Sequence, residues 1–275
     1  MSLLSRFSSV SLIALVLLLS GCKTTKNGAS PEGYTPQYNS EEYILQATLF
    51  VQYASEYRAL CFQAYNGAMS SLEHIMMTSR FSKPPCVVLD IDETVLDNSP
   101  YSGEQVISGQ PYSPATWKEW TALAEADTVP GVGTFLHFAK AKGAEIFYVS
   151  NRSVDELLPT VENLQDFGLP YADTNHVFLK TTTSNKQARR ERILETNAIA
   201  MLIGDNLNDL SEDFENLGTT DRQAITNRNR DQFGKHWIVL PNPIYGSWSS
   251  NIVPRGLTPA QQDSVRHAAV KGFRD

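Results

Sequence analysis

Beginning at Pro84, short apolar runs alternate with stretches of helical periodicity, and few folds accommodate that rhythm. The runs are Cys86–Leu89, Ile146–Val149, His176–Leu179, Ile199–Ile203 and Trp237–Leu240. Each is four or five residues long and most are rich in Val and Ile, the pattern of strands buried on both faces. Between them the spacing predicts helices over Thr134–Lys142, Val154–Phe167, Asn185–Glu195 and Leu207–Leu217. A repeat of this kind gives an α/β fold, a Rossmann-like parallel sheet flanked by helices. Ligands of such sheets bind beyond the carboxyl ends of the strands. That rule selects four segments: Asp90-Ile91-Asp92, Ser150-Asn151-Arg152, Lys186 and Gly204-Asp205-Asn206.

The first of these continues as Asp90-Ile91-Asp92-Glu93-Thr94-Val95-Leu96-Asp97-Asn98, with four acids in eight positions. Acids after a strand can simply face solvent or open a helix. The second cluster, Gly204-Asp205-Asn206-Leu207-Asn208-Asp209, changes the balance, because two acidic strand ends can converge on one hard cation such as Mg²⁺. Without a cation, such carboxylates would repel one another and take up protons. The whole chain has a formal net charge of -7 and no basic footprint for nucleic acid.

Before Pro84 the chain falls into three parts. Arg6, the apolar run Val10–Leu19 and the sequence Leu19-Ser20-Gly21-Cys22 match a bacterial lipobox, so residues 1–21 read as a signal peptide and Cys22 as the lipidated mature N-terminus. Lys23 in the next position points to the outer membrane. Residues 22–39 are rich in Thr, Gly, Pro and Ser and read as a flexible tether. From 40 to 275 a single domain is expected, opening with a helical region over 40–80. There Leu49, Tyr53, Tyr57, Leu60, Ala64, Ala68, Leu72 and Ile75 recur at helical steps, with a break near Gly67. Cys61 and Cys86 read as buried thiols, although an export compartment permits a disulfide and the sequence does not decide between the two.

Taken in order, Asp90-x-Asp92-Glu93-Thr94, Ser150, Lys186 and Gly204-Asp205-x-x-x-Asp209 resemble the four motifs of the haloacid-dehalogenase superfamily. The longer segments Asp90 to Tyr101, Val149-Ser150-Asn151-Arg152 and Gly204-Asp205-Asn206-Leu207 resemble the class C acid phosphatases, bacterial surface lipoproteins with 5'-nucleotidase activity. Leu210 departs from that pattern, where an aromatic is expected. The resemblance implies that Asp90 is a nucleophile and Asp92 a general acid and base. It implies that Mg²⁺ is held by Asp90, the Asp92 main-chain carbonyl and Asp205. Ser150, Asn151 and Lys186 would bind phosphate, with Lys180 the rival lysine, and Asp209 would support Lys186 or a metal-bound water. An insertion over 98–130 would cover the site, and Trp117 with Tyr245 would sandwich a nucleobase. The expected substrates are nucleoside 5'-monophosphates, nicotinamide mononucleotide and other small phosphomonoesters. The expected partners are the substrate and the membrane, reached through the N-terminal lipid, with a homodimer allowed. A phosphotransferase using the same intermediate and a nonenzymatic surface binding lipoprotein are the alternatives.

Overall fold

Apolar runs without polar interruption cannot leave a face to solvent, and the five expected strands form one sheet covered on both sides. The structure, a computed structural model, describes residues 39–274. The expected signal peptide, Cys22 and all but the last residue of the tether lie outside the described residues. The strands are β1 (Pro85–Leu89), β2 (Leu96–Asp97), β3 (Asp127–Thr128), β4 (Glu145–Ser153), β5 (Val177–Lys180), β6 (Ala198–Gly204) and β7 (Trp237–Val239). The helices are α1 (Leu45–Tyr53), α2 (Ser55–Thr78), α3 (Ser99–Ser108), α4 (Pro114–Ala122), α5 (Val132–Ala141), α6 (Leu157–Asp166), α7 (Gln187–Thr196), α8 (Thr219–Arg228), α9 (Ser247–Ser250) and α10 (Pro259–Ala269).

The main sheet is parallel, in the order β5-β4-β1-β6-β7, while β2 and β3 form a separate antiparallel pair. From β1 the chain first builds outward through β4 and β5, then crosses back to β6 and β7. The switch point therefore lies between β1 and β6, where doubly wound sheets open a crevice. Alternation along β1 sends Val87 and Leu89 into one apolar cluster with α2, α5 and α6, and Cys86 and Val88 into another with Ile193 of α7. Cys61 belongs to the first cluster and Cys86 to the second, so the sheet separates them, and both are free thiols. Burial pushes the Cys61 thiol up to about 11 and the Cys86 thiol up to about 12.

Two helical expectations are corrected. The N-terminal break falls at Ala54, whose ψ of 124° is extended, and α2 runs unbroken through Gly67. Gly67 faces open space, so its missing side chain leaves no packing gap to end the helix. The break resets the helical phase, and α2 buries Tyr57, Cys61, Tyr65, Ala68, Leu72 and Ile75 while Leu49, Tyr53 and Leu60 are exposed. The helix expected over Leu207–Leu217 is replaced by two 3-10 turns, Leu207–Asp209 and Glu212–Phe214. Asn206 and Ser211 accept hydrogen bonds from Asn208 N and Asp213 N, and such side chains compete with helical backbone bonding.

The insertion is built from the β2–β3 ribbon, α3 and α4. Pro100 in the first turn of α3 and Gly109 at its end, with φ 68°, set its limits. Ser113 caps α4 by accepting from Thr116 N at 3.1 Å.

Candidate active site

Asp90 directly follows β1, and its N–H donates to Ile203 O of β6 at 2.9 Å, which fixes it at the switch point. The chain then turns back sharply. Ile91 O accepts from Val95 N at 2.7 Å and Leu96 N at 2.9 Å, and Glu93 takes φ 56°, a conformation costly for a residue with a side chain. Two contacts hold this loop. Tyr65 Oη, from α2, donates to Thr94 O at 2.5 Å, and Glu93 Oε1 accepts from Asn98 N at 3.0 Å. Burial and neighbouring carboxylates, Asp92 first among them, raise the Glu93 carboxyl well above its ordinary value.

At the end of β6 the second acidic segment folds onto the first. Carboxylate oxygens of Asp90, Asp205 and Asp209 lie within 4.8 Å of one another. Lys186, at the start of α7, reaches between them, with Nζ 2.6 Å from Asp90 Oδ1 and 2.6 Å from Asp209 Oδ1. Asp205 Oδ2 accepts from Asn242 Nδ2 at 2.8 Å, and Asp209 Oδ2 from Asn206 N at 3.0 Å. Gly204 is required here, because a Cβ would sit 2.5 Å from Asp209 Cβ. Burial raises the Asp90 carboxyl well above the carboxylate range, with Asp209, Asp205 and Asp92 adding to the rise and Lys186 opposing it. Asp205 is raised to about 7 by burial and by Asp209. Burial would depress the Lys186 ammonium, but Asp209 and Asp90 outweigh it and hold its pKa above the ordinary value. Three carboxylates facing one buried lysine carry an excess of negative charge, which a hard divalent cation would relieve. The donor set fits such an ion.

Asp92 takes a different environment from Asp90. Its Oδ1 accepts from Arg152 Nε at 2.9 Å and Asn98 Nδ2 at 3.0 Å, and its Oδ2 from Ser150 Oγ at 3.1 Å. Arg152 is 2% exposed and donates further to Thr160 Oγ1 at 3.1 Å and Asn98 Oδ1 at 3.4 Å. Ser150 Oγ also accepts from Arg152 N at 3.0 Å, and the Asn151 side chain accepts from Arg189 at 2.7 Å. Ser150 and Asn151 thus stand at the site with partners of their own. Trp117 and Tyr245 line one cavity of about 460 Å³ with Asp92, Asn98 and Arg152. Trp117 packs edge-on to Tyr101, centroids 5.1 Å apart, and Trp120 Nε1 donates to Asn98 Oδ1 at 2.8 Å. Lys180 lines the cavity and not the carboxylate cluster, which Lys186 occupies.

Arg152, Asn98, Glu93, Asn242 and Arg189 were given no role by the sequence reading. An arginine directly after Ser150-Asn151 at a strand end could have been noticed. Asn242 carries no local signal, since its contact with Asp205 spans 37 positions.

A parallel sheet in this order, with paired aspartates after its central strand and a lysine and two aspartates converging from later strands, fits the HAD superfamily. Within it, the chain belongs to subfamily IIIB, the acid phosphatases, whose family model matches residues 17–248. The class C acid phosphatase from Bacillus anthracis has a similar structure, with a TM-score of 0.82 at 36% identity, covering 86% of this chain and 100% of that one. The chain is 25% identical over 164 residues to the Stem 31 kDa glycoprotein of Glycine max, covering 58% of each. It is 28% identical over 169 residues to Acid phosphatase 1 of Solanum lycopersicum, covering 58% of this chain and 57% of the tomato protein. The match spans less than two thirds of either plant protein.

Proposed function

We propose that the protein is a Mg²⁺-dependent phosphomonoesterase that works through an aspartyl-phosphate on Asp90. The observation that carries this reading is the pair Asp90 and Asp92, two residues apart on one pinned loop, with Asp90 2.6 Å from Lys186 and Asp92 bound to Arg152 instead. These different partners support separate tasks for the two carboxylates. An Asp90 oxygen attacks phosphorus while the phosphorus–oxygen bond to the leaving alcohol breaks, and Asp92 supplies that alcohol with its proton. Asp92 then takes a proton from the water that cleaves the acyl phosphate and frees Asp90. Lys186 holds the transferring oxygens, and the Ser150 hydroxyl and Asn151 amide exchange their present partners for them. Asp90, the Asp92 main-chain carbonyl and Asp205 would hold Mg²⁺, which when bound would neutralise charge on the phosphoryl group.

Trp117 and Tyr245 would stack a flat leaving group, as in nucleoside 5'-monophosphates and nicotinamide mononucleotide. Lipidated Cys22 would tether the enzyme to the outer membrane, so Cys22→Ser should yield soluble, active protein. The central test is hydrolysis of p-nitrophenyl phosphate and adenosine 5'-monophosphate with Mg²⁺ and with EDTA, combined with mass spectrometry of the Asp90 peptide after borohydride trapping. Mg²⁺-dependent turnover with Asp90 modified is expected. Turnover without modification of Asp90 would refute the covalent route, and no turnover of either ester would refute the enzyme.

A further inference from the structure

The cavity that opens on Asp92 carries a charge pattern that phosphate handling does not explain. Four charged residues line it: Asp92, Arg152, Lys180 and Arg255. Asp92 and Arg152 neutralise each other at 2.9 Å. Lys180 stands at the carboxyl end of β5, opposite Ser153 of β4, and Arg255 lies between α9 and α10. Among the described residues neither side chain has a hydrogen bond, ion pair or ring partner, and each faces the cavity from a different part of the chain. The wall therefore holds two unmatched positive charges in a chain whose formal net charge is -7. A locally cationic cleft in an acidic protein concentrates anions. On the phosphomonoesterase reading, the reacting phosphate is already provided for at Asp90 and Lys186.

We propose that Lys180 and Arg255 form a subsite for a second phosphate on the leaving group, making nucleoside 3',5'-bisphosphates preferred over nucleoside 5'-monophosphates. The proposal rests on the phosphomonoesterase reading and names its substrate class. The 5'-phosphate is the group removed: water's hydroxyl goes to phosphorus, its proton to the 5'-oxygen, and the 3'-phosphate leaves intact on the nucleoside. Arginine's planar fork suits phosphate oxygens, and lysine adds a point charge. Nicotinamide mononucleotide, with a cationic ring and no second phosphate, ranks below adenosine 5'-monophosphate on the same argument.

The test compares kcat/KM for adenosine 3',5'-bisphosphate and adenosine 5'-monophosphate in Mg²⁺, at low ionic strength and in about 1 M NaCl, where the Debye length is about 3 Å. Two solvent-accessible charge pairs give a preference of roughly three- to tenfold at low salt. High salt should bring the ratio toward one, and so should Lys180→Gln combined with Arg255→Gln, in a variant whose melting temperature has been checked. The first product should be adenosine 3'-monophosphate. A wild-type ratio at or below one, a ratio that the double variant leaves unchanged, or adenosine 5'-monophosphate as first product would overturn the subsite while leaving the hydrolase intact. Failure to hydrolyse adenosine 5'-monophosphate and p-nitrophenyl phosphate alike would instead remove the underlying reading.

Discussion

Arg152→Met separates the support of Asp92 from its chemistry. Methionine keeps the buried aliphatic length and removes the guanidinium, so Asp92 Oδ1, Thr160 Oγ1 and Asn98 Oδ1 each lose a donor. Removing one partner of a buried ion pair costs about 3–5 kcal/mol. The Asp92 side chain is 16% exposed and can recover some hydration, which favours the lower end. With about 1 kcal/mol for the hydrogen bonds to the neutral acceptors Thr160 and Asn98, the total is about 4 kcal/mol, a large share of a typical domain's stability. The melting temperature should fall by about 10 °C. A displaced Asp92 should also lower kcat about 100-fold for alkyl phosphates, whose leaving oxygen needs its proton. Aryl phosphates depart more readily and should lose less. Arg152→Lys restores the charge without the fork and should recover stability only in part. Thermal denaturation and paired kcat measurements on glycerol phosphate and p-nitrophenyl phosphate decide the matter. A melting temperature within about 2 °C of wild type, or equal loss on both esters, would refute the reasoning.

Asp90→Asn should abolish turnover and raise the stability of the metal-free protein, since it removes a buried carboxyl crowded by Asp209 and Asp205; calorimetry with EDTA showing a less stable variant would contradict this. Asp205 has a pKa of about 7 in the fold against an ordinary 3.8, so folding takes up a proton. Its contribution is fully present below the ordinary value and is lost as pH rises through about 7, amounting to at most about 4 kcal/mol. Metal-free protein should therefore melt at lower temperature as pH rises over that window, and Mg²⁺ should flatten the profile; a metal-free melting temperature that climbs would exclude the sign. Trp117→Ala and Tyr245→Ala should each lower kcat/KM for adenosine 5'-monophosphate by about 1–3 kcal/mol while sparing glycerol phosphate. Uniform loss on both substrates would assign these rings to packing alone.

The five strands were readable because each carries a short apolar run, most of it buried within the sheet. Asp90, Asp92, Lys186, Asp205 and Asp209 were readable because each follows a strand or opens a helix at a set spacing. What escaped was set by distant partners. Arg152 reaches Asp92 across 60 positions, and Asn242 reaches Asp205 across 37. Ala54 is a strong helix former whose extended backbone nothing in its own neighbourhood announces. The 3-10 turns after Asp205 escaped because their Leu and Phe spacing imitates a helix, while Asn206 and Ser211 redirect the backbone.

The contact between Asn242 and Asp205 has a bearing on how the chain is made. During synthesis Asp90 and Asp92 emerge early, Lys186 and Asp205 far later, and Asn242 only after the last strand of the sheet. No nascent chain shorter than that can hold the full set of groups around Asp205. The centre is therefore completed only once the chain has passed the last strand of the sheet, and phosphate release becomes a report that the sheet has closed to that edge.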